Sequence, residues 1–152
     1  RAGTENVPYI VGLGMACELA AKKLEEGSTR VTAMRDRLEA GILATCADSR
    51  INGDPAARLS NTTNISFEYI EGEAILLMLD DHGICASTGS ACASGSLEPS
   101  HVLRAMNVPG TAVHGSIRFS LSTYNTEEDV DAVLTELPKI VQRLRELSPF
   151  VS

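Results

Sequence analysis

The stretch "CASTGSACASGSLEPS", residues 85–100, surrounds Cys92 with Ser87, Gly89, Ser90, Ala91, Ala93, Ser94, Gly95 and Ser96. None of these side chains has the bulk to build a core. A thiol on a mobile tether loses ordering entropy each time it docks. That loss is useful only if the thiol must reach two places, so one reading of Cys92 is a travelling nucleophile. The thiolate is the reactive form, which calls for exposure and positive potential. A helix starting near Pro99 would supply some of that potential if its N-terminus faces the loop. The competing reading is a small, inert residue in a Gly/Ser/Ala loop, the commoner fate of a cysteine.

Arg118 interrupts "SIRFSLS" (116–122), a segment otherwise made of apolar and hydroxyl residues. A guanidinium there suits a bidentate clamp on a carboxylate, or an outward residue on a solvent face. His101 and His114 are acid–base groups in kind, but each alone reads as a loop or helix-end residue. His82 beside Gly83 fits a helix C-terminus. "GLGMAC" (12–17) approaches a dinucleotide fingerprint but follows no strand. There is no paired Cys/His metal spacing and no G-x-S-x-G elbow, so no intrinsic metal site is expected.

The elements that must hold these residues follow from periodicity. Pro8 suits a first helical turn with Asn6 or Val7 as cap. Ile10, Leu13, Cys17, Ala20 and Leu24 then mark one apolar face. "GSTR" (27–30) is expected to punctuate, and Val31, Met34, Leu38 and Ile42 to form a second amphipathic helix. Cys17 and Cys46 lie on these apolar stripes and are expected to be core thiols. "INGDPAARLSN" (51–61) reads as a loop, "TNISFEYI" (63–70) as a strand, and "GEAILLMLDDHG" (72–83) as a short helix ended by Gly83. "ICAS" (84–87) reads as a short buried strand, "EPSHVLRAM" (98–106) as a helix with Pro99 in its first turn, and "SIRFSLS" as a half-buried strand. A long helix closes the chain, with Thr126 and Asp129 as a capping-box start. Its stripe is Val130, Val133, Leu134, Leu137, Ile140, Val141, Leu144 and Leu147, and Pro138 is expected to kink it. The expected fold class is α/β, a small and mainly antiparallel sheet flanked by long helices.

Composition narrows the function. The chain has 152 residues, 43% hydrophobic and 22% charged, enough for one globular domain. A net charge of −7 and no cluster of Lys and Arg argue against nucleic-acid binding. The longest clean apolar run, Ala74–Leu79, is too short to span a membrane. No signal peptide is visible, and the four cysteines form no C-x-x-C pair. A reducing, cytoplasmic setting is therefore expected. The chain opens at Arg1 inside a motif, which suggests a piece of a longer protein.

Four separated segments carry a family resemblance: "RAGTENV" (1–7), "NTTNISFEYIEGEAILLMLDDHGI" (61–84), "SACASGSLEPSHVLRAM" (90–106) and "SIRFSLSTYNTEEDVD" (116–131). Together they resemble the carboxy-terminal portion of the NifS-type cysteine desulfurases, which are class-V aminotransferase-like enzymes. The resemblance implies the C-terminal small domain of a homodimeric fold-type-I pyridoxal-phosphate enzyme over 1–152. Residues 1–26 would then be a helix linking to the cofactor domain. It implies that pyridoxal phosphate labilises L-cysteine, that the loop thiol takes the sulfur as a persulfide, and that L-alanine leaves. An iron–sulfur scaffold protein would then receive the sulfur, in NifS-type cases for nitrogenase. By position, Cys92 is the persulfide cysteine and Arg118 the substrate-carboxylate clamp. Thr4 is a ligand of the cofactor phosphate in the neighbouring subunit. The one metal role implied is transient, with Cys92 a shared iron–sulfur ligand on the scaffold.

The sequence departs from that pattern in one respect. Its only lysines, Lys22, Lys23 and Lys139, fall on polar helix faces, and none stands in the family's Ser-x-His-Lys context. The chain alone is therefore expected to be inactive. Two other readings stay open: a non-catalytic module presenting a reactive thiol to a scaffold protein, and a related pyridoxal-phosphate lyase.

Overall fold

The computed structural model describes residues 2–89 and 99–149, without the side chains of Glu25 and Glu26. Helix α1 runs Val7–Thr45 and is followed by strands β1 (Ser49–Ile51) and β2 (Thr62–Phe67). Helices α2 (Gly72–Asp80), α3 (His101–Ala105) and α4 (Gly110–Val113) come next, then β3 (Ser116–Ser120) and α5 (Glu127–Leu147). The strands form one antiparallel sheet in the order β1-β2-β3. This is the expected fold class.

The register divides the sheet into two chemically different faces. Ile51, Ile65 and Ile117 lie in one row across the strands, with Thr63 opposite Phe119. With Phe67, this face joins the C-terminal half of α1 (Val31, Met34, Leu38, Ile42), α2 (Ile75, Leu79) and α5 (Val130 to Val141) in one buried core. Burying side chains of this size contributes about 1.5–3 kcal/mol each, which is what holds the layers together. The alternate positions, Arg50, Asn52, Thr62, Asn64, Ser66, Ser116, Arg118 and Ser120, make the second face wholly polar.

Several sequence expectations change. The 27–30 segment does not break α1, which is one helix. A Cβ on Gly27 would lie 3.0 Å from the Thr123 methyl, a tight contact with a single side chain. Arg30 then ties the helix to the carbonyls of Thr123 (2.6 Å) and Asn125 (3.0 Å). Tertiary packing outweighs the roughly 1 kcal/mol helical cost of glycine. The stripe assigned to the first half of α1 is not a core face, for Ile10, Leu13, Cys17 and Leu24 are exposed. "ICAS" is no strand. Only Ser87 bridges to the sheet, and Cys85 is exposed.

Helix α3 starts at His101 behind Ser100, so Pro99 precedes its cap rather than occupying its first turn. The short β1 and α4 had no periodicity to reveal them. Helix α5 has the expected capping box and continues through Pro138 as one helix, its buried stripe holding turns on either side. Leu147, expected on that stripe, is exposed.

Candidate functional site

Arg118 occupies the middle of β3 on the polar face, half-buried. Its backbone N–H donates to the Ser87 carbonyl at 2.6 Å, and its carbonyl accepts from the Ser87 N–H at 3.2 Å. That pair of bonds roots the segment leading to Cys92 directly on the arginine. Ser87 Oγ shapes the exit, donating to the Gly89 carbonyl (2.7 Å) and accepting from the Gly89 N–H (3.2 Å). Gly72 makes room beneath it, since a Cβ there would sit 2.8 Å from the Thr88 methyl and 2.9 Å from the His114 carbonyl.

Cys92 and its flanking residues 90–98 lie outside the described residues.

Among the described residues, the Arg118 guanidinium meets no acceptor, and neither does that of Arg50 on the same face. Every other arginine for which partners are given is engaged: Arg58 with Glu39, Arg37 with Glu127 and Asp131, Arg35 with Asp36 and the Leu59 carbonyl, and Arg145 with the Ala47 and Asp48 carbonyls. Two uncompensated cations on a face whose strand residues carry no carboxylate attract an anion.

Around Arg118 runs a polar network that sequence reasoning missed. Asn52 Nδ2 lies 2.6 Å from both Asn64 Oδ1 and Ser66 Oγ, Ser66 Oγ lies 2.6 Å from Ser116 Oγ, and Ser116 Oγ donates to the Ala112 carbonyl at 3.1 Å. The signal was present in the alternation of Asn64 and Ser66 with buried Ile65 and Phe67. Nothing in the sequence gave the pairing with β1.

The remaining candidates are dispersed. Thr4 is exposed ahead of α1. His101 and His114 are exposed, at the start of α3 and the end of α4. His82 lies 3.9 Å from Glu136 in the turn after α2. Lys22 is paired with Glu18 (2.5 Å) and Lys139 with Glu136 (2.9 Å), both on the surface, and Lys23 is exposed. None is enclosed as a Schiff-base lysine must be, so the described residues do not by themselves fit pyridoxal phosphate. A shallow groove between Thr45–Ala47 and the Pro138–Glu146 stretch of α5 shares no residue with the polar sheet face.

The sheet with its flanking helices and arginine-bearing central face matches a known class. The aminotransferase class-V family model covers residues 1–133, and the chain belongs to that family. It is 60% identical over 152 residues to the cysteine desulfurase NifS of Azotobacter vinelandii, covering all of this chain and 38% of that protein. It is 63% identical over 150 residues to a cysteine desulfurase of Trichormus azollae, covering 99% of this chain and again 38% of the relative. Among solved structures, a NifS-like protein superposes with a TM-score of 0.80 at 35% identity, over 95% of this chain and 36% of the other. A NifS-like protein from Rickettsia africae gives 0.79 at 34% identity, over 93% and 36%. The chain thus spans somewhat over a third of the length of the relatives it matches.

Proposed function

We propose that this chain is the carboxy-terminal part of a cysteine desulfurase, in which Arg118 holds the carboxylate of L-cysteine and Cys92 receives its sulfur. The observation that carries the reading is the unpaired Arg118 guanidinium, bonded through its own backbone to the residue from which the Cys92 segment departs. The high identity to curated cysteine desulfurases supports it.

In the net reaction the substrate C–S bond breaks and an S–S bond forms at Cys92 Sγ. The carbon takes up the thiol's proton, so L-alanine leaves and a persulfide stays; no outside oxidant or reductant is consumed. Pyridoxal phosphate, when bound, supplies the electron withdrawal that weakens the C–S bond. Its lysine belongs to the rest of the full-length protein, and Thr4 of this chain is assigned to its phosphate across a homodimer. Arg118 orients the substrate through two parallel hydrogen bonds. Small residues beside Cys92 let the thiol approach closely and then present the sulfur to an iron–sulfur scaffold protein, with nitrogenase maturation as the proposed use and the cytoplasm as the setting. Residues 1–26 are assigned to the contact with the cofactor domain.

The test is the full-length protein incubated with L-cysteine. Alanine release should equal sulfur added to the Cys92 peptide, read by mass spectrometry. Cys92→Ser should abolish the adduct while leaving cofactor absorbance in place. A Cys92→Ser enzyme that still forms alanine at the unaltered rate would sink the assignment.

A further inference from the structure

We propose that Asn64 is a second ligand of the carboxylate that Arg118 holds, and that its amide sets the preference for a free carboxylate over a neutral amide or ester. The inference rests on the Arg118 reading above and adds a specificity-determining residue to it.

The backbone puts the two side chains together. Asn64 and Arg118 are cross-strand partners in β2 and β3. The Arg118 N–H and carbonyl both turn away from β2, toward Ser87, and the Asn64 carbonyl turns toward β1, accepting from the Asn52 N–H at 2.8 Å. Asn64 and Arg118 are therefore a non-hydrogen-bonded pair of an antiparallel ladder. In such pairs the Cα atoms approach to about 4.5 Å and the side chains are nearest.

The direction of the Asn64 amide follows from a chain of protons. The Ala112 carbonyl can only accept, so the Ser116 hydroxyl donates to it. That uses Ser116's single proton, so Ser66 donates to Ser116. Ser66's proton is then used as well, and Asn52 must offer Ser66 an N–H. The same Asn52 Nδ2 faces Asn64, which must present Oδ1 to it. The Asn64 Nδ2 group is left turned away from Asn52, with two N–H bonds and no acceptor among the described residues. The order has a cost at Asn52, whose Oδ1 is buried and unpaired. A network serving stability alone would satisfy that atom.

The result is a donor-only surface. Arg118 offers five N–H groups and Asn64 two, and none of the strand residues on this face, Arg50, Thr62, Asn64, Ser66, Ser116, Arg118 and Ser120, carries a carboxylate. A carboxylate accepts on both oxygens. It can take the Arg118 fork and keep a lone pair for Asn64. An amide in its place turns an NH2 against these donors, and the mismatch is the basis of discrimination.

The experiment uses the full-length protein. Calorimetry gives the Kd of S-methyl-L-cysteine and of its amide for the unaltered protein, Asn64→Ala, Asn64→Asp and Arg118→Lys. KM and kcat for L-cysteine are measured beside them. Asn64→Ala should lower the acid-over-amide preference about tenfold, the scale of one hydrogen bond to a charged group. Asn64→Asp, equal in size but carrying negative charge, should lower it about a hundredfold. KM should rise in step with kcat nearly unchanged, as for lost ground-state binding. The preference is a ratio measured on one sample, so partial unfolding does not move it, and the isosteric Asn64→Asp keeps the test open if Asn64→Ala fails to fold. A preference unchanged in the Asn64 variants but lost in Arg118→Lys overturns the role of Asn64 alone. A preference unchanged in Arg118→Lys overturns the carboxylate clamp itself.

Discussion

Glu39 and Arg58 meet through two parallel hydrogen bonds, Nη1 to Oε2 at 2.5 Å and Nη2 to Oε1 at 2.8 Å, with side chains only 9% and 16% exposed. Thr63 Oγ1 adds a third bond to the carboxylate at 2.5 Å. The pair fastens the 52–61 loop to α1 at the edge of the core. The hydrogen bond from Arg58 holds the Glu39 carboxyl below its ordinary pKa, and that of Thr63 helps. A carboxyl whose folded pKa is depressed contributes stability above its unfolded pKa, and the contribution is lost as pH falls through the folded value. Glu39→Gln should therefore destabilise the chain by about 3 kcal/mol at neutral pH, the scale for removing one partner of a buried pair. Its penalty should shrink as pH drops below the ordinary carboxylate range. Urea denaturation of both proteins across that range checks this; a penalty that does not vary with pH would show that the charge of Glu39 is immaterial.

Gly115 and Gly41 separate a backbone constraint from a side-chain one. A Cβ on Gly115 would lie 2.7 Å from the Ile70 carbonyl oxygen and closer still to that of Phe67, which also accompanies the Phe67 N–H bond to the Gly115 carbonyl. Backbone cannot step aside, so Gly115→Ala should cost about 3 kcal/mol or more. On Gly41 the Cβ would meet only the Leu134 side chain, nearest approach 2.5 Å at Cδ2. A rotamer change relieves that, and Gly41→Ala should cost about 1 kcal/mol or less, partly offset by better helix propensity. Equal losses in thermal unfolding would contradict the distinction.

The parts of the fold legible from sequence were those written in a single periodicity. Ile117, Phe119 and Leu121 all face the core as their alternation required, and the α5 capping box and the stripe from Val130 to Val141 stand as read, Leu147 excepted. Periodicity failed where the partner of an apolar face lies elsewhere. The Ile10-to-Leu24 stripe of α1 is as regular as the Val31-to-Ile42 stripe, yet only the second is buried in this chain. Gly27 looked like a break because a glycine that ends a helix and a glycine inside one held by its neighbours, here Arg30, are spelt alike. At the site, Arg118 stood out as a charge among apolar residues. Asn64 did not, for polar residues alternate in most half-exposed strands. Its meaning came only from the cross-strand register and from the direction in which Asn52 holds it.

The first turn of α5 offers a small, local test. Thr126 Oγ1 accepts from the Asp129 N–H at 3.4 Å, and the Asp129 carboxylate accepts from the Thr126 N–H at 3.0 Å. Thr126→Ala removes one half of this exchange and should lower stability by about 1 kcal/mol, whereas Thr126→Ser should retain most of it. The Thr126 N–H, with help from Asn125, holds the Asp129 carboxyl below its ordinary pKa. That contribution is present above the unfolded pKa and fades as pH falls through the folded one. Thermal melts of both variants at neutral and acid pH give the comparison; a serine that behaves like alanine would remove the cap from the account.

The thiols give a test of what covers α1. Cys46 is buried at the end of that helix, and burial pushes its thiol pKa up. Cys17 and Cys85 are exposed, contrary to the core positions that their sequence settings suggested. A brief pulse of iodoacetamide on the 152-residue chain should therefore modify Cys17 and Cys85 well before Cys46, because only the accessible thiolate reacts. Denaturation should bring Cys46 to the rate of the other two. In the full-length protein the outcome at Cys17 should reverse. Cys17 shares the first half of α1 with exposed Val7, Ile10, Val11, Leu13, Met15 and Leu19, an apolar surface of the kind that marks an interaction site. If residues 1–26 contact the cofactor domain, that surface is covered and Cys17 labels at least about tenfold more slowly than in the short chain, while Cys85 need not change. Peptide mass spectrometry after pulse labelling of both proteins reads all three sites at once. Equal Cys17 rates in the short and full-length proteins would mean that this half of α1 stays open to solvent, and the assignment of residues 1–26 to a domain contact would fall.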